Sequence, residues 1–287
     1  MQRRIIFLLV ATVLVVFLYL PFRLHMPADP EVRRYFDAIE ALQGGDTVAL
    51  VTEYSPSTEG EQWNMHENTL YHLFARGIRI IHLSTWEFGP DIAAKYIRKV
   101  QKIIRDEGGI ERKPDIDYVE LRYSSGYEIV MVNAATSIAA AFPRNRQGLE
   151  TKDLPIMQGV RGLAADPATG ERKVKLLISL ASGVPGTREW IRMVGTRYGV
   201  PVLAGVTSAM APDLYPFMKS GQLRGLLSGL PGGFQYETLL REAGIRRTPS
   251  GVDTDMSIQS AMHCLVIGLV VVGNISYFLA RRRRGRP

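Results

Sequence analysis

The chain contains one cysteine in 287 residues, Cys264, so cysteine chemistry contributes little to its stability. No disulfide can form within the chain, and no group of cysteines can bind a metal ion. Any domain of this protein outside the cytoplasm must therefore be stabilised by its hydrophobic core. The composition allows such a core, since 46% of the residues are hydrophobic and 22% are charged, as in ordinary globular proteins.

The standard signatures of several enzyme classes are missing as well. The sequence has no Gly-x-Gly-x-x-Gly for a dinucleotide, no phosphate loop ending in Gly-Lys-Ser/Thr, and no Gly-x-Ser-x-Gly of a serine hydrolase. His66-Glu67 begins like a zinc-protease helix, but Leu70 stands where the second histidine would be. The sequence therefore predicts neither a cofactor nor a metal ion, and it favours a protein that is not an enzyme.

The interior of the chain has no excess charge of either sign. Seven of the 35 Lys and Arg lie in two terminal tails, residues 1–4 and 281–287, and the other 28 balance the 28 Asp and Glu. A neutral interior gives no reason to expect a nucleic-acid partner. Because Lys and Arg beside a membrane span tend to stay in the cytoplasm, both tails are predicted to be cytoplasmic.

Two long apolar runs adjoin these tails. Residues 5–22 are 18 residues without a charge and residues 261–280 are 20 more, each long enough to cross a hydrocarbon layer of ~30 Å as a helix. The chain is therefore predicted to cross the plasma (inner) membrane twice, with residues 23–256 forming an extracytoplasmic domain. Two alternatives are a reversed topology and a cleaved signal peptide at the first run, although no small-x-small cleavage site follows that run.

Between the two runs, apolar segments of strand length alternate with helix-like segments. Asp29 and Pro30 predict a first helix with Asp29 as its cap, and Pro212 predicts another that extends to residue 230. Residues 128–142 fit a strand or a helix, with helix favoured. The alternation predicts an α/β, Rossmann-like fold with a mostly parallel sheet. Strands are predicted at 47–54, 78–83, 117–123, 174–180 and 200–206.

The chain also contains two segments with the same local pattern. Gly77 and Gly199 each precede a predicted strand, and a Pro-Asp helix start follows 12 residues later, at Gly89 and at Ala211. The offset of 122 residues is the same in both places and predicts two similar βαβα halves, although a common local pattern could produce it without a shared origin. The predicted segments are the halves 29–142 and 174–244 and the long loop 143–173.

Hydroxyl side chains follow four of the predicted strands. In parallel α/β folds, ligands collect at the carboxyl ends of the strands, where helix N-termini offer free N–H groups. A small polar or anionic ligand held by these hydroxyls is the resulting hypothesis, and ordinary turn and capping roles are the alternative. The candidate ligand-binding residues are Glu53, Ser55, Ser57, Ser84, Ser182, Thr187, Thr207 and Ser208.

Glu53 ends the first predicted strand and precedes a polar loop. If its side chain is buried it could serve as a general base, and a surface carboxylate is the alternative. Trp63 and Trp190 occupy similar positions in the two halves. They could form an aromatic pair over a cleft, and packing in the core is the alternative.

His263 and Asn274 are polar residues inside the second apolar run. Such residues usually face another helix or the membrane interface, so both are predicted to contribute to helix packing. Apart from the lipid bilayer, the predicted partners of this run are the first span, a second copy of the chain or another membrane protein.

These patterns support three hypotheses about function. The leading one is a membrane-anchored extracytoplasmic α/β protein that binds a partner protein, an envelope component or a small polar ligand. A membrane-bound hydrolase or transferase, with its site at the strand carboxyl ends, is the first alternative. An accessory or scaffold subunit of a membrane complex, docked through its spans, is the second.

Overall fold

A computed structural model describes residues 3–20, 22 and 26–284, and these form two compact units. The larger unit, residues 27–249, contains the sheet. The smaller unit contains the described residues up to 26 and from 250 onwards. The helices, in chain order, are α1 Arg3–Tyr19, α2 Pro30–Glu40, α3 Glu59–Ala75, α4 Gly89–Asp106, α5 Tyr127–Thr136, α6 Ile138–Ala141, α7 Thr187–Trp190, α8 Ala211–Lys219, α9 Gly229–Glu242 and α10 Val252–Arg284.

The larger unit is built on a six-stranded sheet whose neighbouring strands all pair in parallel. The strands are β1 Thr47–Glu53, β2 Arg79–Leu83, β3 Tyr118–Glu120, β4 Val174–Ala181, β5 Val202–Val206 and β6 Gly225–Ser228. Their spatial order is β3-β2-β1-β4-β5-β6. The chain starts in the centre, builds one half, returns to the centre and builds the other half, which is consistent with a doubly wound, Rossmann-like fold. The predicted α/β class with a mostly parallel sheet is confirmed.

Helices cover both faces of this sheet. Side chains of α2, α3, α4 and α9 share one hydrophobic core, whereas those of α5, α6, α7 and α8 share the other. Strand β1 is buried along its whole length, and its alternate residues enter the two cores: Val48 and Leu50 enter the first, and Ala49 and Val51 the second. A continuous apolar run is what a parallel strand covered on both faces requires.

Several local predictions are also confirmed. The ambiguous segment 128–142 is helical and contains α5 and α6. Helices α4 and α8 begin at Gly89 and Ala211, each with a proline in the first turn and each after a parallel strand. The helices then differ, since α4 has 18 residues and α8 has nine. A common origin of the two halves stays a prediction.

Other local predictions are wrong. Asp29 makes no capping bond at α2; its carboxylate instead accepts a hydrogen bond from Gln235 Nε2, at 3.1 Å. The helix predicted from Pro212 to residue 230 ends at Lys219, and the short strand β6 follows. This strand depends on tertiary contact, because the backbone of Gly225 approaches α2 so closely that a Cβ would lie 2.5 Å from the Tyr35 Cα. The predicted long loop 143–173, which the structure describes throughout, contains no α-helix and no strand of the sheet, and it places Leu154, Ile156, Met157 and Leu163 in the core.

The smaller unit consists of α1 and α10, which are in contact. Residues 252–278 of α10 are long and apolar enough to cross a membrane. In the part of the chain that the structure describes, this is the one helix of that kind. The other predicted span, residues 5–22, is not shown; the helix in this region, α1, has 17 residues and begins with Arg3 and Arg4. Parts of the predicted tails, residues 1–2 and 285–287, lie outside the described residues.

Candidate functional site

The central strands β1 and β4 lie side by side but send the chain to opposite faces of the sheet. After β1 the chain turns to α3 on one face, and after β4 it turns to α7 on the other. Such a switch point is where doubly wound folds bind ligands, in the crevice beyond the strand carboxyl ends. Glu53 and Ala181, the last residues of the two strands, are register neighbours at this point.

The Glu53 side chain is completely buried at the switch point. Thr85 Oγ1 donates a hydrogen bond to its carboxylate at 2.5 Å, and Trp190 Nε1 lies 3.0 Å from both carboxylate oxygens. Burial raises the pKa of Glu53 to about 7, because desolvation penalises the charged form more than these hydrogen bonds stabilise it. The burial that a general base at this position would need is therefore present.

The Trp86 indole bridges the loops after β2 and β4. Its Nε1 donates to the Pro185 carbonyl oxygen at 2.9 Å, and the Val184-Pro185 peptide bond is cis. The ring lies so close to Gly183 that a Cβ there would be 2.8 Å from the Trp86 Cη2. Because β1 lies between β2 and β4 in the sheet, this bridge crosses the switch point. At position 183, only glycine fits without a shift of the Trp86 ring.

A cleft of about 390 Å³ lies beside the Trp86 bridge and is formed by the loops after β2, β3 and β4. Thr85 lines it and also donates to Glu53, so one side chain connects the cleft with the buried carboxyl. Phe88, Tyr123 and Tyr127 are 45%, 49% and 62% exposed, which leaves much aromatic surface open to water. Other lining residues are Trp86, Glu87, Ser125, Gly126, Val184 and Pro185.

Tyr127 has an unusual backbone conformation at the edge of this cleft. Its φ angle is +52°, in the left-handed region that bulky side chains rarely adopt. Such a conformation costs on the order of 1 kcal/mol and tends to occur at functional sites. The preceding Gly126, with φ of +133°, lets the chain turn into α5 so that the Tyr127 ring lines the cleft.

Carboxylates already occupy main-chain N–H groups at this edge of the sheet. Glu189 Oε2 accepts from the N–H of Gly186 before α7, and Glu61 Oε2 accepts from the N–H of Ser208 after β5, both at 2.8 Å. Free N–H groups at helix starts were the reason to expect an anionic ligand. Because carboxylates of the chain itself bind these N–H groups, the structure does not favour an anionic ligand held by them.

Three of the predicted hydroxyl residues lie together at the switch point. Ser182 Oγ accepts a hydrogen bond from Thr58 Oγ1 at 2.8 Å, and the main-chain N–H of Ser182 donates to the Glu53 carbonyl oxygen. The hydroxyls of Ser55 and Ser57 lie 2.7 Å apart in the facing loop after β1. These residues form a polar rim next to Glu53.

The other four predicted hydroxyl residues do not join this rim, and none of the seven lines the cleft. Ser84 Oγ lies 2.7 Å from a main-chain carbonyl oxygen of β1, and Thr187 Oγ1 lies 2.9 Å from Ser179 Oγ, so both hydroxyls hold the loops to the sheet. Thr207 is buried and Ser208 is exposed at the end of β5, two strands away from β1.

The predicted aromatic pair of Trp63 and Trp190 does not form, because the two side chains pack on opposite faces of the sheet. Lys99 Nζ lies 5.0 Å from the centre of the Trp63 ring, whereas Trp190 is fully buried and donates to Glu53. Trp190 thus belongs to the site through its N–H group rather than through its ring face.

His66 and Glu67 belong to a buried polar network on α3 rather than to a metal site. Glu67 accepts from Arg246 on one carboxylate oxygen, and its other oxygen lies 2.5 Å from Lys99 Nζ. His66 Nδ1 is 2.7 Å from the Tyr54 hydroxyl. In the described part of the chain, no group of three His, Cys, Asp or Glu side chains is placed to hold a metal ion.

His263 and Asn274 are both exposed on α10. Asn274 Nδ2 donates to the Val270 carbonyl oxygen at 2.9 Å, within its own helix. No described contact joins either side chain to α1, so their role in helix packing stays a prediction.

The aromatic side of the cleft has a signal in the sequence that the hydroxyl pattern does not cover. Trp86 lies three residues after the end of β2, and Tyr123 lies three residues after the end of β3. Ligands collect after parallel strands whether the residues there are aromatic or carry hydroxyls. Tyr127 could not be found in this way, because its position depends on the turn at Gly126.

Comparisons with known proteins leave the family open. No protein-family profile matches the chain, and no curated protein matches it. Among solved structures, one that it resembles is titled "Crystal Structure Analysis of the Glycotransferase of kitacinnamycin", with 14% identity and a TM-score of 0.25 over 74% of this chain. The match spans 44% of that protein's length. So low a score says nothing about activity.

Proposed function

We propose that the protein is a membrane-anchored binding protein whose α/β domain takes a small ligand in the cleft beside Trp86. The observation that carries the proposal is the place of the cleft, next to the switch point of a doubly wound sheet, together with its exposed aromatic lining. A volume of about 390 Å³ suits a small molecule better than a protein segment or a large envelope component.

The test is a ligand screen on the full chain in detergent micelles, read as a rise in melting temperature. Small metabolites sorted by charge class form the library. A ligand of the cleft should bind about tenfold more weakly to Tyr123→Ala, which loses a lining ring. Tyr215→Ala is the matched control, because Tyr215 is 40% exposed on α8 and does not line the cleft. A ligand whose affinity changes in neither variant would bind outside the cleft.

One observation favours an enzyme, a hydrolase or transferase, as the second candidate. The Glu53 carboxyl has a pKa raised to about 7, so it can exchange a proton near neutral pH, and Thr85 connects it with the cleft. Once a ligand is identified, Glu53→Gln should leave its affinity within a few-fold if the protein only binds it. Loss of turnover with unchanged affinity would instead establish catalysis.

We also propose an orientation in the membrane. The α/β domain lies outside the cytoplasm and both termini lie inside, with α1 and α10 as two spans. The seven Arg residues of the tails support this arrangement, as does the contact between α1 and α10. Ser257 Oγ of α10 also donates to the Phe22 carbonyl oxygen at 2.7 Å.

A further inference from the structure

We infer that the ligand of the cleft is an organic cation, of the quaternary or methylated ammonium class, held against the aromatic rings. The inference rests on the proposed function, since it names the chemical class that the same cleft takes. Two independent features carry it, the charge of the lining and the availability of the ring faces.

The charge of the lining is negative. Among the described residues that line the cleft there is one carboxylate, Glu87, and no Lys or Arg. Glu87 is exposed, and no described hydrogen bond or ion pair involves its carboxylate. A cation entering the cleft would therefore meet a carboxylate that has no other partner.

Of the cations near these loops in sequence, Arg122 does not line the cleft, and Arg188 and Lys95 are paired. Arg188 Nε lies 3.2 Å from the Glu189 carboxylate, and Lys95 Nζ lies 2.5 Å from that of Glu59. The carboxyl edge of the sheet also carries the carboxyl groups of Glu53 and Glu61. An anionic ligand would find no unpaired cation in this lining and would be repelled by Glu87.

Three of the four rings, those of Phe88, Tyr123 and Tyr127, are exposed, and the Trp86 ring is partly exposed. Trp86, Phe88, Tyr123 and Tyr127 line the cleft, and no described ring–ring or cation–ring contact uses any of them. A ring face is electron-rich and attracts an ammonium group within about 6 Å of its centre. A methylated ammonium gains most from such faces, because it buries apolar methyl groups and keeps its charge.

Two other ligand classes fit less well. A neutral apolar ligand would use the rings but would bury part of the Glu87 surface without a partner for the carboxylate. A ligand that needs hydrogen-bond donors would find the Trp86 N–H held by Pro185 and the Thr85 hydroxyl held by Glu53, which leaves the hydroxyls of Tyr123, Ser125 and Tyr127. Exposed rings and one unpaired carboxylate together favour a cation that carries apolar groups.

The experiment compares choline with 3,3-dimethylbutan-1-ol, a neutral molecule of the same shape in which carbon replaces the nitrogen. Both are titrated calorimetrically into the full chain in detergent micelles. Choline should bind at least about tenfold more tightly, because the difference between the two probes is the charge. Tyr127→Phe should keep choline binding, Tyr127→Ala should lose about tenfold, and Glu87→Gln should weaken choline alone.

Every outcome of this experiment either supports or overturns the cation inference. Equal affinity for the two probes would overturn the cation inference and leave the small-ligand cleft intact, since the cleft would then select for shape. Binding of neither probe would also overturn the inference, while the library screen still tests the cleft. Choline binding that Tyr127→Ala and Glu87→Gln leave unchanged would place the cation elsewhere. Tyr215→Ala serves as the control that should change nothing.

Discussion

At the scale of single residues, the carboxyl of Glu53 is separated from water by Thr85, Trp190 and the loops after β1 and β4. Two donors compensate part of the lost hydration, and the balance still favours the neutral form. A buried carboxyl held by donors at the end of a central strand is costly for stability. Because this cost depends on the charge of Glu53, it can be measured as a change of stability with pH.

The first prediction concerns the pH dependence of stability. The folded pKa of Glu53 is about 7, against an ordinary value of 4.5, so the folded state holds the proton longer than the unfolded state. The stability that Glu53 contributes is complete below about pH 4.5, falls as pH rises and levels off above about pH 7, a loss of roughly 3 kcal/mol. Urea unfolding of the full chain at several pH values measures it, with Glu53→Gln as the reference that does not titrate.

Glu87→Gln is the matched control for that experiment, because Glu87 is exposed at the same edge of the sheet. It should keep the decline in stability between pH 4.5 and 7, whereas Glu53→Gln should lose it. Identical pH profiles for wild type and Glu53→Gln would show that Glu53 has an ordinary pKa.

The second prediction concerns the Trp86 bridge. Gly183→Ala places a Cβ 2.8 Å from the indole, so the ring must shift and its bond to Pro185 is weakened. We expect a loss of about 1 to 3 kcal/mol in the free energy of unfolding. Acrylamide should quench Trp86 more strongly, which is measured in a Trp63→Phe background to remove the other partly exposed tryptophan.

Gly60→Ala is the control for the glycine substitution. A Cβ on Gly60, in the first turn of α3, would contact nothing within 4 Å. Its effect on stability should be neutral or slightly favourable, because alanine is the better helix former. Equal behaviour of the two variants would mean that the indole does not need the space at Gly183.

At the scale of elements, α3 is unusual because both of its sides are buried, between the sheet and helices α4 and α9. Its interior positions are largely polar, and they bind partners on other elements. Asn64 and Asn68 donate to Glu237 of α9, and Asn68 accepts from Arg246 beyond α9. The helix thus links the loop after β1 with the segment that follows α9.

The third prediction concerns the ion pair of Glu67 and Arg246, whose side chains are both fully buried. Arg246→Met leaves the Glu67 carboxylate with Lys99 as its remaining charged partner, so we expect a loss of about 3 to 5 kcal/mol. Adding Glu67→Gln should recover part of that loss, since no buried charge is then left unpaired. A double-mutant cycle from urea unfolding measures the coupling.

Lys102→Met is the control for this cycle. It breaks the exposed pair with Asp106 on α4, which should contribute at most about 0.5 kcal/mol. Additive effects of the Glu67 and Arg246 substitutions would contradict a direct interaction between them.

Elements with a strong local pattern could be predicted from the sequence, and those fixed by tertiary contact could not. Apolar runs marked β1, β2, β4 and β5, because a strand buried on both faces must be apolar throughout. Strand β6 has four residues and lies where Gly225 passes the α2 backbone, a contact that no periodicity reveals. The polar residues 59–62 form the first turn of α3, where Gln62 is buried and Glu59 and Glu61 bind distant residues.

At the scale of the whole molecule, the doubly wound order decides which predicted site residues meet. Glu53, Ser55, Ser57 and Ser182 follow the two central strands and therefore lie together. Thr207 and Ser208 follow a strand nearer the edge and lie apart. Strand ends can be found in a sequence, but the order of strands in the sheet cannot be read from local pattern, so the grouping of the candidate residues could not be predicted.

The last prediction concerns orientation in the membrane. All of the excess positive charge lies in the tails, with two Arg before α1's apolar run and five after that of α10. Since such residues resist transfer across the membrane, a reporter active only outside the cytoplasm should give signal after Gly251 and none after Pro287.

Deleting residues 1–25 should leave the chain membrane-bound, because residues 252–278 alone are long enough to span. Replacing the five C-terminal Arg with Gln should weaken the bias and give mixed signal after Pro287. A reporter active after Pro287 and silent after Gly251 in the unaltered chain would reverse the proposed orientation and place the cleft in the cytoplasm.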